Sequence, residues 1–269
     1  MKFSVLIPLY VKNKLDEFEV TLRSIWDEQT LRPDEIVIVK DGPLPPDLDR
    51  FLAEAAKRYP IVFAALEKAG GLGSALNEGV LHCGNEIVAR MDGDDIAIPD
   101  RFERQIAYME KHPEVGILGG QIEEFCKSPD EPTGKRTVPL THPEIMDFIR
   151  YRNPFNHMTV CFRKSLILQN GNYRLLPGYE DYWLWARCLA SGVIGANLPE
   201  VLAKARTGEM VKRRKGLKIL KADFKLAREL YRLHILSFFG MIRNIVLRAL
   251  ILSFPASLLK VIYRTFLRK

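Results

Sequence analysis

Three carboxylates fall within four residues in Ala89-Arg90-Met91-Asp92-Gly93-Asp94-Asp95-Ile96, directly after the apolar run Ile87-Val88-Ala89. Like charges this close repel, so folding and solvation both oppose the arrangement unless a cation sits among them. Carboxylates at the end of a buried strand commonly hold Mg²⁺ or Mn²⁺ against a phosphate. The alternative is a solvated acidic turn in which Asp94 and Asp95 serve the next helix electrostatically. A second stretch, Lys68-Ala69-Gly70-Gly71-Leu72-Gly73-Ser74-Ala75-Leu76-Asn77, is rich in glycine and feeds a helix N-terminus. Such a stretch can cradle a phosphate on backbone N–H groups. It lacks the G-K-[ST] ending of a P-loop and does not fit G-x-G-x-x-G, so a loop of left-handed glycines is the competing reading.

The elements around these stretches must bring them together. Residues 3–7 read as a buried strand stopped by Pro8, and residues 35–39 as a second strand ending in the turn Lys40-Asp41-Gly42-Pro43. Residues 61–66 and 86–91 supply two more. Between them, Leu15, Phe18, Leu22, Ile25 and Trp26 recur at helical spacing, a helix opens at Pro45 and Pro46, and another starts near Ser74. This alternation predicts an α/β fold with a mostly parallel sheet flanked by helices. Ligands in such sheets bind at the carboxyl ends of the strands. Pro8, Asp41, Lys68 and Asp92 all follow strand ends, so they can converge on one edge. Further on, the pattern predicts a helix over 99–112, a strand over 115–122 weakened by glycines and a loop excursion over 126–143. A short helix over 142–152, a strand over 158–162 and a helix over 180–191 follow.

The chain has 269 residues, 47% of them apolar, enough for one large domain with an appendage. Cys83, Cys126, Cys161 and Cys188 form no C-x-x-C pair and read as reduced, mostly buried thiols of a cytosolic protein. The strand-like start is read as leaving no signal peptide. Charge is distributed unevenly: residues 201–269 hold 17 Lys/Arg against 3 Asp/Glu, whereas residues 1–200 hold 23 against 30. A basic tail of this kind seeks polyanions. Residues 216–233 are helical in pattern, with Leu217, Leu220, Phe224 and Leu230 on one stripe. The longest uncharged run beyond them, 249–259, has 11 residues and contains Pro255, well short of the roughly 20 a spanning helix needs. Amphipathic helices lying on an anionic membrane surface are expected, with Arg243, Arg248, Lys260, Arg264, Arg268 and Lys269 toward phosphates and no nucleic-acid partner. The alternative is a helical tail packed on the core or on a second copy of the chain.

Taken in order and spacing, several motifs resemble the family 2 glycosyltransferases. They are Ser4-Val5-Leu6-Ile7-Pro8-Leu9-Tyr10, Val39-Lys40-Asp41-Gly42, the glycine-rich loop ending at Asn77-Glu78-Gly79, Met91-Asp92-Gly93-Asp94-Asp95 and Gly178-Tyr179-Glu180-Asp181-Tyr182-Trp183-Leu184-Trp185. Asn153-Pro154-Phe155-Asn156-His157-Met158-Thr159-Val160 resembles the subgroup that builds bacterial exopolysaccharide and O-antigen repeat units. The resemblance covers residues 1–215, and residues 216–269 form the membrane-associating tail.

The resemblance implies a GT-A, Rossmann-like fold, a nucleotide-sugar donor, Mn²⁺ or Mg²⁺, and inversion at the anomeric carbon. It makes Asp94 the main metal ligand, Asp92 a ligand of metal or ribose, and Asp95 a support. Pro8, Tyr10 and Asp41 would line the base pocket, Lys68 would approach base or phosphate, and Gly73 and Asn77 belong to the donor loop. Many members have two acids after the second strand; here Lys40 takes the first place, which leaves Asp41 to hold the base alone. UDP is favoured, and dTDP and GDP stay open. Inversion needs a base opposite the leaving group, and a carboxylate far from the metal suits it. Asp181 is assigned that role, with Glu180 second; both also suit the first turn of a helix. Arg206, Arg213 and Arg214 lie in a basic loop that either closes over the diphosphate or is a solvated linker. His157 reads as a buried structural histidine rather than an acceptor contact, and one of Trp183 and Trp185 as core. The expectation is hexosyl transfer, with glucose, galactose or rhamnose first among donors. The acceptor is a polyprenyl-diphosphate-linked sugar at the cytoplasmic face of a bacterial inner membrane, with homo-oligomers possible through the C-terminal helices. The rivals are a catalytically silent scaffold of the same fold and a sugar nucleotidyltransferase.

Overall fold

Alternate residues of the first strands serve two different cores. In β1 (Phe3–Tyr10), Phe3, Val5, Ile7 and Leu9 face one side and Leu6 the other; in β2 (Glu35–Asp41), Ile36 and Ile38 are split in the same way from Val37 and Val39. This is the two-residue period of strands buried on both faces. The structure, a computed structural model, describes residues 1–207 and 217–253. On the first side lie α1 (Leu15–Ile25), α2 (Pro46–Ala55) and α4 (Arg101–Lys111), burying Phe18, Leu22, Leu48, Leu52, Phe102 and Met109. On the second lie α3 (Leu72–His82), α5 (His142–Phe148), α6 (Lys164–Gln169), α7 (Glu180–Ala190) and α8 (Leu217–Arg232), around the fully buried Trp185. A last helix, α9 (Phe238–Ser253), packs on α8.

β3 (Ile61–Leu66), β2, β1 and β4 (Ile87–Arg90) run parallel in that order. The sheet continues through β8 (Cys161–Arg163), β6 (Val115–Phe125), β9 (Ile194–Arg206) and β5 (Ile96–Ala97), with β7 (Pro132–Arg136) on the flank of β6. The long β6–β9 ladder is parallel, while β8, β5 and β7 pair antiparallel, so most of the ladder is parallel, as expected.

Several elements differ from the sequence-based expectation. Pro8 does not stop β1, which runs to Tyr10. The Met91 N–H donates to the Leu6 carbonyl, so even-numbered residues of β1 point toward β4, and β4 ends at Arg90, beside Leu6. Pro8, lacking an N–H, therefore faces an unoccupied edge and costs no ladder bond. The 13-residue β9 was not expected, because Pro199 interrupts it. The register with β6 jumps from Leu198 to Val201, so Pro199 and Glu200 leave the ladder as a bulge. The excursion over 126–143 contains β7, and the expected strand over 158–162 is a 3₁₀ turn (His157–Thr159) followed by β8. On α8 the buried stripe is Ala222, Leu226, Ala227 and Leu230, and Phe224 faces outward. The first helix of the basic tail is thus docked into the main core.

Candidate active site

Because β1 to β4 are parallel, their carboxyl ends meet at one edge. Tyr10 is in register with Asp41, and Asp41 with Leu66, so the expected base-pocket residues Pro8, Tyr10 and Asp41 are neighbours there. The Asp41 carboxylate is engaged: it accepts the Gly70 N–H at 2.6 Å and the Gly71 N–H at 3.0 Å. It thereby folds the glycine-rich loop back onto the strand end. Gly42 has φ +77°, and a Cβ there would lie 2.8 Å from the Ala69 nitrogen, so only glycine allows this closure. Lys40 pairs with Asp49 and lies 4.9 Å over the Phe63 ring. Lys68 stands exposed on the loop.

The acidic stretch is built around a buried cation that sequence reading passed over. Arg90, the last residue of β4, is 1% exposed and pairs with both oxygens of Asp92, one bond being 2.6 Å. Arg101, also buried, donates to the Arg90 carbonyl at 2.7 Å and holds the strand end in place. With both oxygens taken by Arg90, Asp92 has less to offer a metal than expected. Asp95 is buried; one oxygen accepts the Arg206 N–H at 2.7 Å and the other has no hydrogen-bond partner among the described residues. Burial pushes its carboxyl well above the usual range, and Asp92 and Asp94 add to this. Asp94 is half-buried, and its carboxylate makes no hydrogen bond to a described residue. Burial first, then the charges of Asp92 and Glu17, raise it to about 6.

Asp181 lies in the first turn of α7. It accepts the Asn153 amide at 2.6 Å on one oxygen and the Tyr182 N–H at 2.8 Å on the other. Burial raises its carboxyl, opposed by the Tyr182 bond, Arg90, Arg136 and Asn153. Beneath it, His157 donates to or accepts from the Tyr173 hydroxyl at 3.0 Å and lies 3.9 Å from Asp181. Burial and Arg90 push His157 well below its usual value, so it is a neutral structural histidine. Arg90 thus acts on both the acidic turn and Asp181, which joins residues from two distant segments into one site.

Glu180 points elsewhere. A Cβ on Gly73 would lie 2.8 Å from Glu180 Cγ, so this glycine at the start of α3 makes room for Glu180, whose carboxyl is raised by burial. Asn77 is committed to structure: its amide donates to the Tyr173 carbonyl at 2.8 Å. Arg206 belongs to β9 rather than to a loop; its Nε reaches the Asp94 carbonyl at 3.3 Å, and it stacks over Phe125. Arg213 and Arg214 lie outside the described residues. Trp185 is core and Trp183 is half-buried. Arg90 and Asn153 escaped sequence reading; only their placement, a charge at the end of an apolar run and an amide before Pro154, hinted at them.

Among the described residues no three His, Cys, Asp or Glu side chains form a closed metal-ligand set. A divalent ion such as Mg²⁺ can also be held by one or two carboxylates and completed by substrate phosphates and water. Asp94, penalised by burial and without a hydrogen-bond partner among the described residues, is the carboxylate most open to a cation at this edge.

Comparison with known proteins bears on this geometry. The profile described as Glycosyl transferase family 2 matches residues 4–170. The chain is 45% identical over 227 residues to an amylovoran biosynthesis glycosyltransferase of Erwinia amylovora, covering 84% of each. It is 35% identical over 269 residues to the UDP-Gal:alpha-D-GlcNAc-diphosphoundecaprenol beta-1,3-galactosyltransferase of Escherichia coli, covering 100% of this chain and 97% of that one. A crystal structure of S. aureus TarS in complex with UDP-GlcNAc superposes with TM-score 0.69 at 19% identity, covering 91% of this chain and 70% of that one. The last likeness concerns the fold alone, which is GT-A as expected.

Proposed function

Since the chain belongs to glycosyl transferase family 2, we propose that it is an inverting, metal-dependent hexosyltransferase acting from a UDP-sugar onto a polyprenyl-diphosphate-linked sugar in the assembly of a bacterial exopolysaccharide or O-antigen. The observation that carries this reading is the division of labour between two carboxylates. Asp94 is half-buried at the strand edge without a hydrogen-bond partner among the described residues, and Asp181, on a separate helix, is fixed by Asn153. The names of the relatives, one an amylovoran enzyme and one acting from UDP-Gal onto a diphosphoundecaprenol-linked sugar, support the pathway, donor and acceptor class.

In this reading Pro8, Tyr10 and Asp41 border the nucleoside, and the loop from Lys68 to Gly73 lies beside the phosphates. Asp94, with Asp92 in support, would hold Mg²⁺ or Mn²⁺, which when bound clamps the charge of the departing diphosphate as a Lewis acid. Arg206 adds a fixed positive charge at the same edge. Asp181 takes the proton of the acceptor hydroxyl as its oxygen bonds to the anomeric carbon. The bond from that carbon to the diphosphate breaks on the opposite face, so configuration inverts. Asn153 keeps the carboxylate aimed.

A lipid-borne acceptor calls for a surface that meets the membrane. No helix among the described residues is long and apolar enough to cross one. α9 instead exposes Phe238, Phe239, Ile242 and Val246, with Phe239 83% exposed, and carries the exposed Arg243. An amphipathic face of this kind suits peripheral attachment at the cytoplasmic leaflet; a second copy of the chain is the other occupant. The test is a screen of UDP-linked hexoses with Mn²⁺ against a synthetic alkyl-diphosphate sugar, with linkage read by NMR. An inverted glycosidic product supports the proposal, and donor cleavage without transfer to any such acceptor counts against it.

A further inference from the structure

Beyond the carboxylates, α7 and α8 share an unusual cluster of positive charge. The Trp183 ring is flanked by Arg187 at 5.2 Å, Lys225 at 5.2 Å and Arg174 at 5.9 Å from its centroid. One cation over an indole is attracted by the ring quadrupole, but three repel one another, and the ring has no net charge to offset them. None of the three has a carboxylate partner among the described residues. Arg187 is occupied on its other side by the carbonyls of Trp183, Asn170 and Asn172. Burial, then Arg174, push it down to about 10. Arg174 donates to the Gly171 carbonyl at 3.3 Å, and it and Lys225 are both exposed.

Each exposed cation is followed or preceded in the sequence by an exposed apolar residue: Leu175, 56% exposed, after Arg174, and Phe224, 54% exposed, before Lys225. Unpaired cations next to exposed hydrocarbon match an anion ester-linked to an apolar chain. The patch also adjoins the candidate active site. Trp183 lies one turn beyond Glu180, and a Cβ on Gly73 would meet both Glu180 Cγ at 2.8 Å and the Arg174 carbonyl at 3.5 Å.

Resting on the acceptor class proposed above, we propose that Arg174, Trp183 and Lys225 seat the diphosphate of the lipid-linked acceptor, with Leu175 and Phe224 against the start of its polyprenyl chain. The seat lets Asp181 meet the far hydroxyl of the acceptor sugar while the lipid leaves over the α7–α8 surface, toward α9.

The test uses the full chain and two acceptors with the same sugar and alkyl chain, one joined through a diphosphate and one a plain glycoside. In the double variant Arg174→Gln/Lys225→Gln, the ratio of kcat/KM for the diphosphate acceptor over the glycoside falls about tenfold. The loss lies in acceptor KM, and Lys225→Arg retains most of the ratio. An unchanged ratio, with a wild type that prefers the diphosphate acceptor, overturns the seat and leaves the acceptor reading standing. Equal losses on both acceptors mark a general surface contact and also overturn the seat. A wild type with no preference for the diphosphate overturns the acceptor reading and the seat with it.

Discussion

The backbone N–H of Arg206 donates to Asp95 Oδ1 at 2.7 Å, across 111 residues of chain. This bond fastens the end of β9 to the turn after β4. The Arg206 side chain then lies 3.6 Å from Glu17, at the edge where Asp92, Asp94 and Asp95 crowd. The other Asp95 oxygen is buried without a hydrogen-bond partner among the described residues. That is the electrostatic setting in which a divalent cation and a diphosphate are both welcome.

The Arg90–Asp92 pair should respond asymmetrically to substitution. Arg90 is 1% exposed and Asp92 30% exposed, so removing Asp92 strands the more deeply buried charge. Asp92→Ala is expected to cost about 3–5 kcal/mol in urea unfolding. Arg90→Met should cost less, because solvent reaches the carboxylate left behind. Equal losses would show that burial does not govern this pair.

Asp94→Asn should lower transfer by about 10²–10³-fold while the unfolding midpoint holds or rises, since a charge penalised by burial has gone. EDTA should silence the wild type, and Mn²⁺ should restore the wild type but not the variant. Full activity in Asp94→Asn excludes the metal assignment.

Asp181 works as a base only when ionised, and burial raises its carboxyl. Transfer should therefore fall away, as pH is lowered, at a higher pH than an ordinary carboxylate would set. Asn153 favours the ionised form, so Asn153→Ala should move this acid limb further up and lower kcat about tenfold. Asp181→Asn should retain donor binding and lose transfer. An acid limb that stays in place in Asn153→Ala would show that the 2.6 Å bond does not tune the base.

Asp41→Ala frees the amides of Gly70 and Gly71. Their hydrogen exchange should quicken, and donor KM should rise about tenfold. Protection unchanged at these two amides would mean that the loop is held by something other than Asp41.

Much of the site was legible before folding was considered. Short continuous apolar runs located β1 to β4, and a strand followed by Asp92, Asp94 and Asp95 located the edge where they end. Both signals are local, because an apolar run and charge crowding are carried by residues a few positions apart. β9 was not legible: Pro199 marks a break, and only the bulge against β6 shows why the strand survives it. The tail was misread in one respect, since both faces of α8 carry apolar residues and only packing on α7 decides that Leu226 and Leu230 go inside while Phe224 stays out.

The sequence by itself determined the alternating α/β order, the acidic edge and the separation of the metal-seeking carboxylates from the candidate base. Tertiary structure alone decided that Arg90 is buried and paired with Asp92, that Asn153 aims Asp181, and that Asp41 holds the glycine-rich loop. The physical reason is distance along the chain. These partners lie on different strands, loops and helices, and a hydrogen bond between them exists only once the sheet has closed and the helices have covered its two faces.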